Sequence, residues 1–376
     1  MILRTTLICF WLCSSLYLSA QQFLTETLTV DGNLREYMVY VPASYSGDTP
    51  RPLLFNFHGG AGDIVSQIAI SDMRSMAESD EVLVVYPQAI GDPNSGNATS
   101  WTHKQPTEHD DTEFIAAMID ALSAQYLIDG NRIYACGYSN GGEFALELAC
   151  RMSDRIAAVG SVARSMFIDT YEACAPESPV GVITIHGTND DYEGIIWAGT
   201  KFYVSLDELN EYWSTFNTTD VDPVITAIPN TNTNDGSTVE QFTWSNGDGC
   251  ASVEHFKVNE GGHDWPGSFG NMDIDTDVEL WRFLSQFDLS GQIACNTSSV
   301  KEDALTYSVT PNPTTDYIRV DMGENSVAPY QLISAKGLPV MSGTLKSKEA
   351  LDLTNLSAGL YLLKIGNTIT KVVVLD

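Results

Sequence analysis

The chain has 376 residues, 43% of them hydrophobic and 18% charged, with a formal net charge of −30. That apolar content excludes a disordered chain, and the length leaves room for one large core with a small second domain beside it. So acidic a surface argues against nucleic acid or anionic lipid as a partner.

Residues 1–20 begin with Arg4 near the start, run through an apolar stretch from Leu7 to Leu18, and end in Ser19-Ala20. A positive start, a short apolar middle and a small-residue end form the pattern of a secretory signal peptide, and the stretch is too short for a membrane anchor. Cleavage is expected after Ala20. No later window approaches bilayer-spanning length, so the mature chain is expected to be soluble and secreted, with no membrane span.

Strand-like runs follow at 36–41, 53–57, 82–86, 132–136, 157–162 and 180–185, and they alternate with helical stretches. The clearest helix runs from Asp111 to Leu122, with acids in its first turn and an apolar stripe along one side. This alternation predicts an α/β fold with a mostly parallel sheet covered on both faces, and function in the loops at the carboxyl ends of the strands. One domain spanning 21–290 accommodates it.

Ser139 lies in Gly137-Tyr138-Ser139-Asn140-Gly141-Gly142, between the 132–136 strand and a helical stretch starting at Glu143. Glycines two before and two after a serine allow the sharp strand-to-helix turn that pushes the hydroxyl outward, the nucleophile elbow of α/β-hydrolases. A serine hydroxyl needs a base, a group orienting that base, and donors for the oxyanion. The order along the chain in this fold is Ser, then Asp or Glu, then His. His263, in the turn-forming Glu260-Gly261-Gly262-His263-Asp264-Trp265-Pro266-Gly267, is the expected base. His255 reads as a structural strand residue. Asp190 is the expected orienting acid, just past the 180–185 strand, with Asp191 as the alternative. Backbone N–H groups of Asn140 and Gly60 are the expected oxyanion donors, with Ala61 the alternative to Gly60. His58 reads as a brace for the glycine-rich loop at 58–62. Trp101 and Trp265, in loops beside these motifs, are candidate substrate platforms, with packing as the competing role.

Of seven cysteines, Cys9 and Cys13 fall within the signal, leaving five. In an oxidising compartment Cys150 and Cys174 are expected to pair, and Cys250 with Cys295 is a second candidate pair. Cys136 is then free, a small apolar residue inside its strand. No metal-ligand spacing is present, and no cofactor is expected.

Residues 291–303 are small and polar, a linker by composition. Beyond it, 304–376 carry six basic and six acidic residues, whereas 21–303 hold 12 basic and 43 acidic. The tail has short alternating strands at 317–320, 330–333, 360–365 and 371–375, which predicts a small β-sandwich. A carbohydrate-binding module is the alternative reading of such a tail, but it lacks tryptophan.

Taken together, Phe57-His58-Gly59-Gly60, Ser100-Trp101, Asp110-Asp111, the Ser139 motif, His186-Gly187-Thr188-Asn189-Asp190 and the His263 motif resemble the secreted polyhydroxybutyrate depolymerase and feruloyl esterase group, over about residues 25–288. The resemblance implies an α/β-hydrolase in which Ser139, Asp190 and His263 form the triad. It also implies a secreted serine esterase acting on polyhydroxyalkanoate-type polyesters or on feruloyl or acetyl esters of plant polysaccharide. The chain departs from the group's pattern at Asp191-Tyr192-Glu193, where proline and valine are usual. Thr310-Pro311-Asn312-Pro313, Ala335-Lys336-Gly337 and the stretch 353–361 are similar to the type A sorting domain of type IX secretion, which makes the secretion machinery an expected partner. A peptidase of the same fold, and a non-catalytic binding module on it, are the rival readings of these motifs.

Overall fold

The computed structural model describes residues 22–92, 96–101, 110–298, 307–323, 326–334, 339–365 and 368–375. The expected signal peptide lies outside the described residues, as do 299–303 of the expected linker and the tail turn at 335–337. The chain divides into two compact units, Met1–Asn296 and Thr297–Asp376, so the first unit extends past the expected domain end at 290 and takes in Cys295.

Ten strands of the first unit form a single sheet: β1 (Gln22–Val30), β2 (Asn33–Val41), β3 (Arg51–Phe57), β4 (Leu83–Pro87), β5 (Ile128–Tyr138), β6 (Ala158–Val162), β7 (Gly181–Gly187), β10 (Val224–Ala227), β11 (Thr238–Trp244) and β12 (Val253–Asn259). Between β7 and β10 a separate small hairpin comprises β8 (Ile195–Trp197) and β9 (Thr200–Tyr203). The sheet order is β1-β2-β4-β3-β5-β6-β7-β12-β11-β10. The middle six, from β4 to β12, are mutually parallel, and both flanks are antiparallel. This is the α/β-hydrolase fold. Of the antiparallel flanks, β2 matches the strand-like run at 36–41, whereas β1, β10 and β11 carry no βα alternation and escape a search for that pattern.

The helices are α1 (Ile64–Ile70), α2 (Arg74–Asp80), α3 (Asp111–Gln125), α4 (Asn140–Arg151), α5 (Ile168–Ala173), α6 (Leu206–Phe216) and α7 (Thr276–Leu284). Residues of α3, α4 and α6 join the core on one face of the sheet, and residues of α1, α2 and α7 join that on the other. Strand β3 shows why: Leu53, Phe55 and Phe57 enter the first core and Leu54 the second, the period-two alternation of a strand buried on both sides. Helix α6 starts at a reciprocal capping box between Ser205 and Glu208.

The second unit holds a three-stranded and a four-stranded antiparallel sheet. Ile318 and Val320 from the first share one core with Leu332, Leu363 and Val372 from the second. Alternate residues fill that core, as a small sandwich requires.

Candidate active site

β5 brings the chain to Ser139, and α4 begins one residue later. Ser139 takes φ 52° and ψ −122°, a strained backbone for a residue with a Cβ. A Cβ on Gly137 would stand 2.5 Å from the Gly141 carbonyl, and one on Gly141 would stand 2.5 Å from the Phe57 carbonyl oxygen. The turn is so close to β3 and to itself that only glycine fits at either position. A serine at a helix start usually caps it, but the Ser139 hydroxyl makes no capping bond. It faces His263, whose Nε2 lies 2.9 Å from Oγ.

On the other side of that ring, Nδ1 lies 2.8 Å from Asp190 Oδ2. With Nδ1–H donating to a carboxylate, Nε2 is left as the acceptor for the serine hydroxyl. Burial raises the Asp190 pKa, but contacts from His186 and His263 outweigh it and hold this carboxyl well below the usual range. Asp190 therefore stays ionised through the neutral range. Its loop is stitched to the histidine loop by Thr188 N–H to the Val258 carbonyl and Asn189 N–H to the Gly261 carbonyl, at 2.9 and 2.8 Å. A Cβ on Gly187 would come within 2.3 Å of the Gly261 oxygen, so this approach also depends on a glycine.

The structure separates the two candidate acids: Asp191 turns away to Arg164, at 2.9 Å. His186, which sequence reasoning left without a role at the site, has Nε2 3.2 Å from the same Asp190 oxygen that His263 approaches. It stands four residues before the acid, at the strand end, and that spacing was the available signal. Tyr138, a variable position of the elbow pattern, donates from its hydroxyl to the His263 carbonyl at 2.6 Å and sets its ring 5.1 Å from the imidazole. His255 is fully buried between Thr184 Oγ1 at 2.8 Å and the Tyr192 hydroxyl at 3.1 Å, and burial first, then His186 and Lys257, pushes its pKa down to about 3.

Gly60 lies against the elbow, its Cβ position 3.7 Å from Asn140 Cβ. The Ala61 N–H donates to the Thr99 carbonyl at 2.7 Å, which leaves Gly60 the better placed donor of the two. The Asn140 N–H is the first of α4 and has no intrahelical acceptor. Its side-chain oxygen accepts from Trp101 N–H at 2.8 Å and Ser100 Oγ at 3.2 Å. His58 is a brace: Nε2 accepts from Ala89 N–H at 3.1 Å, so Nδ1–H donates to the Gly59 carbonyl at 2.7 Å. A cavity of about 240 Å³ opens beside this loop, bordered by Gly60, Gln67, Ile70, Tyr138 and Phe269.

The platform expectation for the two tryptophans is corrected. Trp101 and Trp265 are each 1% exposed. Trp101 stacks flat on Phe144 at 5.0 Å and donates to the His58 carbonyl at 2.8 Å. Trp265 donates to Asp277 at 3.2 Å. Both act as supports beneath the site. Disulfides join Cys150 to Cys174 and Cys250 to Cys295, and Cys136 is free and buried, its thiol pKa pushed up by burial. Among the described residues, no group of three His, Cys, Asp or Glu side chains is placed to hold a metal ion, and no helix is long and apolar enough to cross a membrane.

Residues 35–198 match the family model described as esterase PHB depolymerase, and residues 308–374 match that of the secretion system C-terminal sorting domain. A bifunctional acetylxylan esterase/xylanase of Neocallimastix patriciarum is 27% identical over 262 residues, 70% of this chain and 35% of that protein. Feruloyl esterase B of Piromyces equi is 26% identical over 265 residues, 68% of this chain and 46% of that protein. The chain thus spans less than half the length of either relative. An acetyl xylan esterase structure from Aspergillus awamori superposes with a TM-score of 0.51 at 17% identity, over 70% of this chain and 99% of that one, a likeness of fold. Residues 35–198 are thus similar to esterases of the PHB depolymerase family, and residues 308–374 to secretion system C-terminal sorting domains.

Proposed function

We propose that the first unit is a serine carboxylic-ester hydrolase and that the second directs it through type IX secretion to the extracellular space or cell surface. The observation that carries the enzymatic reading is the continuous contact from Ser139 Oγ through His263 to Asp190, at 2.9 and 2.8 Å, on an elbow that only glycine permits. Ser139 attacks an ester carbonyl, and His263 takes the hydroxyl proton and delivers it to the leaving alcohol, while Asp190 stabilises the imidazolium. Gly60 and Asn140 N–H groups face the oxyanion, supported by the amino end of α4. Water then hydrolyses the acyl-serine by the same proton path. Hydroxyalkanoate polyesters and feruloyl or acetyl esters of plant polysaccharide are the substrate classes, in keeping with the relatives' names. The test is a fluorophosphonate label with turnover on feruloyl, acetyl and 3-hydroxybutyryl esters beside a peptide amide. Ser139→Ala should abolish both label and ester turnover. A variant retaining a tenth of the rate, or faster amide than ester cleavage, overturns the reading.

A further inference from the structure

A cavity of about 650 Å³ lies away from Ser139 and His263, where α6 faces β11 and β12. We propose that it binds a neutral oligosaccharide, at a site distinct from the proposed catalytic one. One wall is a pair of aromatic rings: Phe242 and Trp244, two residues apart on β11 and therefore on the same side of the strand, with centroids 6.2 Å apart and planes within 22°. Both are only partly buried, and both border the cavity. Near-parallel, half-exposed rings at this spacing offer apolar surface on which the C–H face of a sugar ring can rest. Around it stand Asp207, Glu211 and Asp220, carboxylates suited to accept hydrogen bonds from hydroxyl groups.

That chemistry discriminates between ligands. A polyester segment has ester oxygens, which only accept, so three carboxylates would have nothing to pair with it. An acidic ligand would be repelled. A polyhydroxylated, uncharged ligand satisfies both the rings and the acids, and the volume lies within the range of small-ligand sites. Lys257, the one cation among the described lining residues, lies over the Tyr192 ring at 5.0 Å.

Tyr192 connects the cleft to the candidate active site. It borders the cavity, its hydroxyl lies 3.1 Å from His255, and its ring centroid is 6.1 Å from that of His186, which in turn touches Asp190. A saccharide held there would sit behind the acid and leave the Ser139 side open to an ester carried by the same polymer. Binding does not depend on ester hydrolysis, so the two can fail separately.

The test is calorimetric titration of the full Ser139→Ala chain with xylotetraose, cellotetraose and a linear 3-hydroxybutyrate trimer. At least one tetrasaccharide should bind, with little dependence on salt. Trp244→Ala should weaken it about tenfold or more. Thr215→Trp, a change at an exposed lining position of α6, should block the cleft while leaving turnover of a small aryl ester by the otherwise native chain intact. Absence of tetrasaccharide binding, binding that survives both substitutions, displacement by the trimer, or loss on His263→Ala instead would each overturn the proposal.

Discussion

Tyr138 and His263 are joined by a hydrogen bond from the phenol to the backbone carbonyl at 2.6 Å, so the residue preceding Ser139 holds the main chain of His263. The elbow and the histidine loop, 124 residues apart from Ser139 to His263, are thereby set by one side chain as well as by the contact between Ser139 and His263. Burial first, with Asp190 and Asp264 adding, pushes the phenol pKa up to about 12, so it remains a donor throughout the working range. Tyr138→Phe should lower kcat by about two- to tenfold, the worth of one neutral hydrogen bond, with KM little changed. Steady-state kinetics on a soluble aryl ester checks it; a change confined to KM would mean that the phenol serves substrate binding instead.

Asp190 and Asp191 point to different partners, His263 and Arg164. Asp190→Asn should reduce kcat by up to about 10⁴-fold, because an amide can leave the imidazole in the wrong tautomer. Asp191→Asn loses one ion pair with a side chain 44% exposed on the acid side, and should change turnover by no more than about threefold. Comparing the two rates at one pH is sufficient, and the reverse ranking would transfer the orienting role to Asp191.

Asp277 accepts from Ser71 Oγ at 2.7 Å and from Trp265 Nε1 at 3.2 Å. Burial, with Asp275 and Asp72 adding, pushes its carboxyl from the ordinary 3.8 up to about 6 against those two donors. Between pH 4 and 6 the folded chain keeps a proton that the unfolded chain has released, so this group's contribution falls as pH rises and the deficit is complete above pH 6. The deficit is at most about 3 kcal/mol. Asp277→Asn keeps an acceptor for both donors and does not ionise. The melting temperature of the variant minus that of the native chain should therefore rise between pH 4 and pH 8. A difference that stays flat with pH would mean that this carboxyl does not titrate as assigned.

Trp101 illustrates how burial reverses an expectation about function. Its ring is sandwiched among Phe57, Phe144 and His58 beneath the glycine-rich loop at 58–62, so removing it leaves a cavity rather than an empty substrate shelf. Trp101→Ala should cost about 3–5 kcal/mol of stability, read by denaturant unfolding. The Michaelis constant of the fraction that stays folded should be nearly unchanged. A raised KM without loss of stability would restore the platform role.

The Ser139, Asp190 and His263 positions were legible because each sits on a glycine-bounded turn whose backbone demands leave a mark on the sequence, as the close approaches at Gly137, Gly141 and Gly187 show. The parallel strands were legible from their apolar runs. The antiparallel flank β10–β11 and the hairpin at 195–203 were not, since their half-exposed residues give no continuous pattern. Tyr138 and His186 escaped for another reason. Their roles arise from pairings across the sheet, to His263 and Asp190, and the side chain's identity alone does not announce a partner. The exposure of Trp101 and Trp265 could not be read from loops rich in glycine and proline, because those loops fold inward over the core.

The expected domain end at 290 cuts through covalent structure, since Cys295 is bonded to Cys250 beside β12 and Ile293 N–H donates to the Gln286 carbonyl at 2.8 Å. A chain ending at Asn296 retains both, whereas one ending at 290 loses the bond that closes a loop of 45 residues. The shorter chain should be less stable by about 2–4 kcal/mol. Both truncated chains should hydrolyse small esters at the full-length rate where they are folded, because Ser139, Asp190, His263, Gly60 and Asn140 all precede the cut. In the native host, export should fail without residues 308–374, the stretch that matches the sorting domain. Thermal melts of the two truncations and secretion of the full-length and tail-less chains check these outcomes. Equal melting temperatures would mean that the Cys250–Cys295 bond adds nothing to the fold, and continued export without the tail would remove its sorting role.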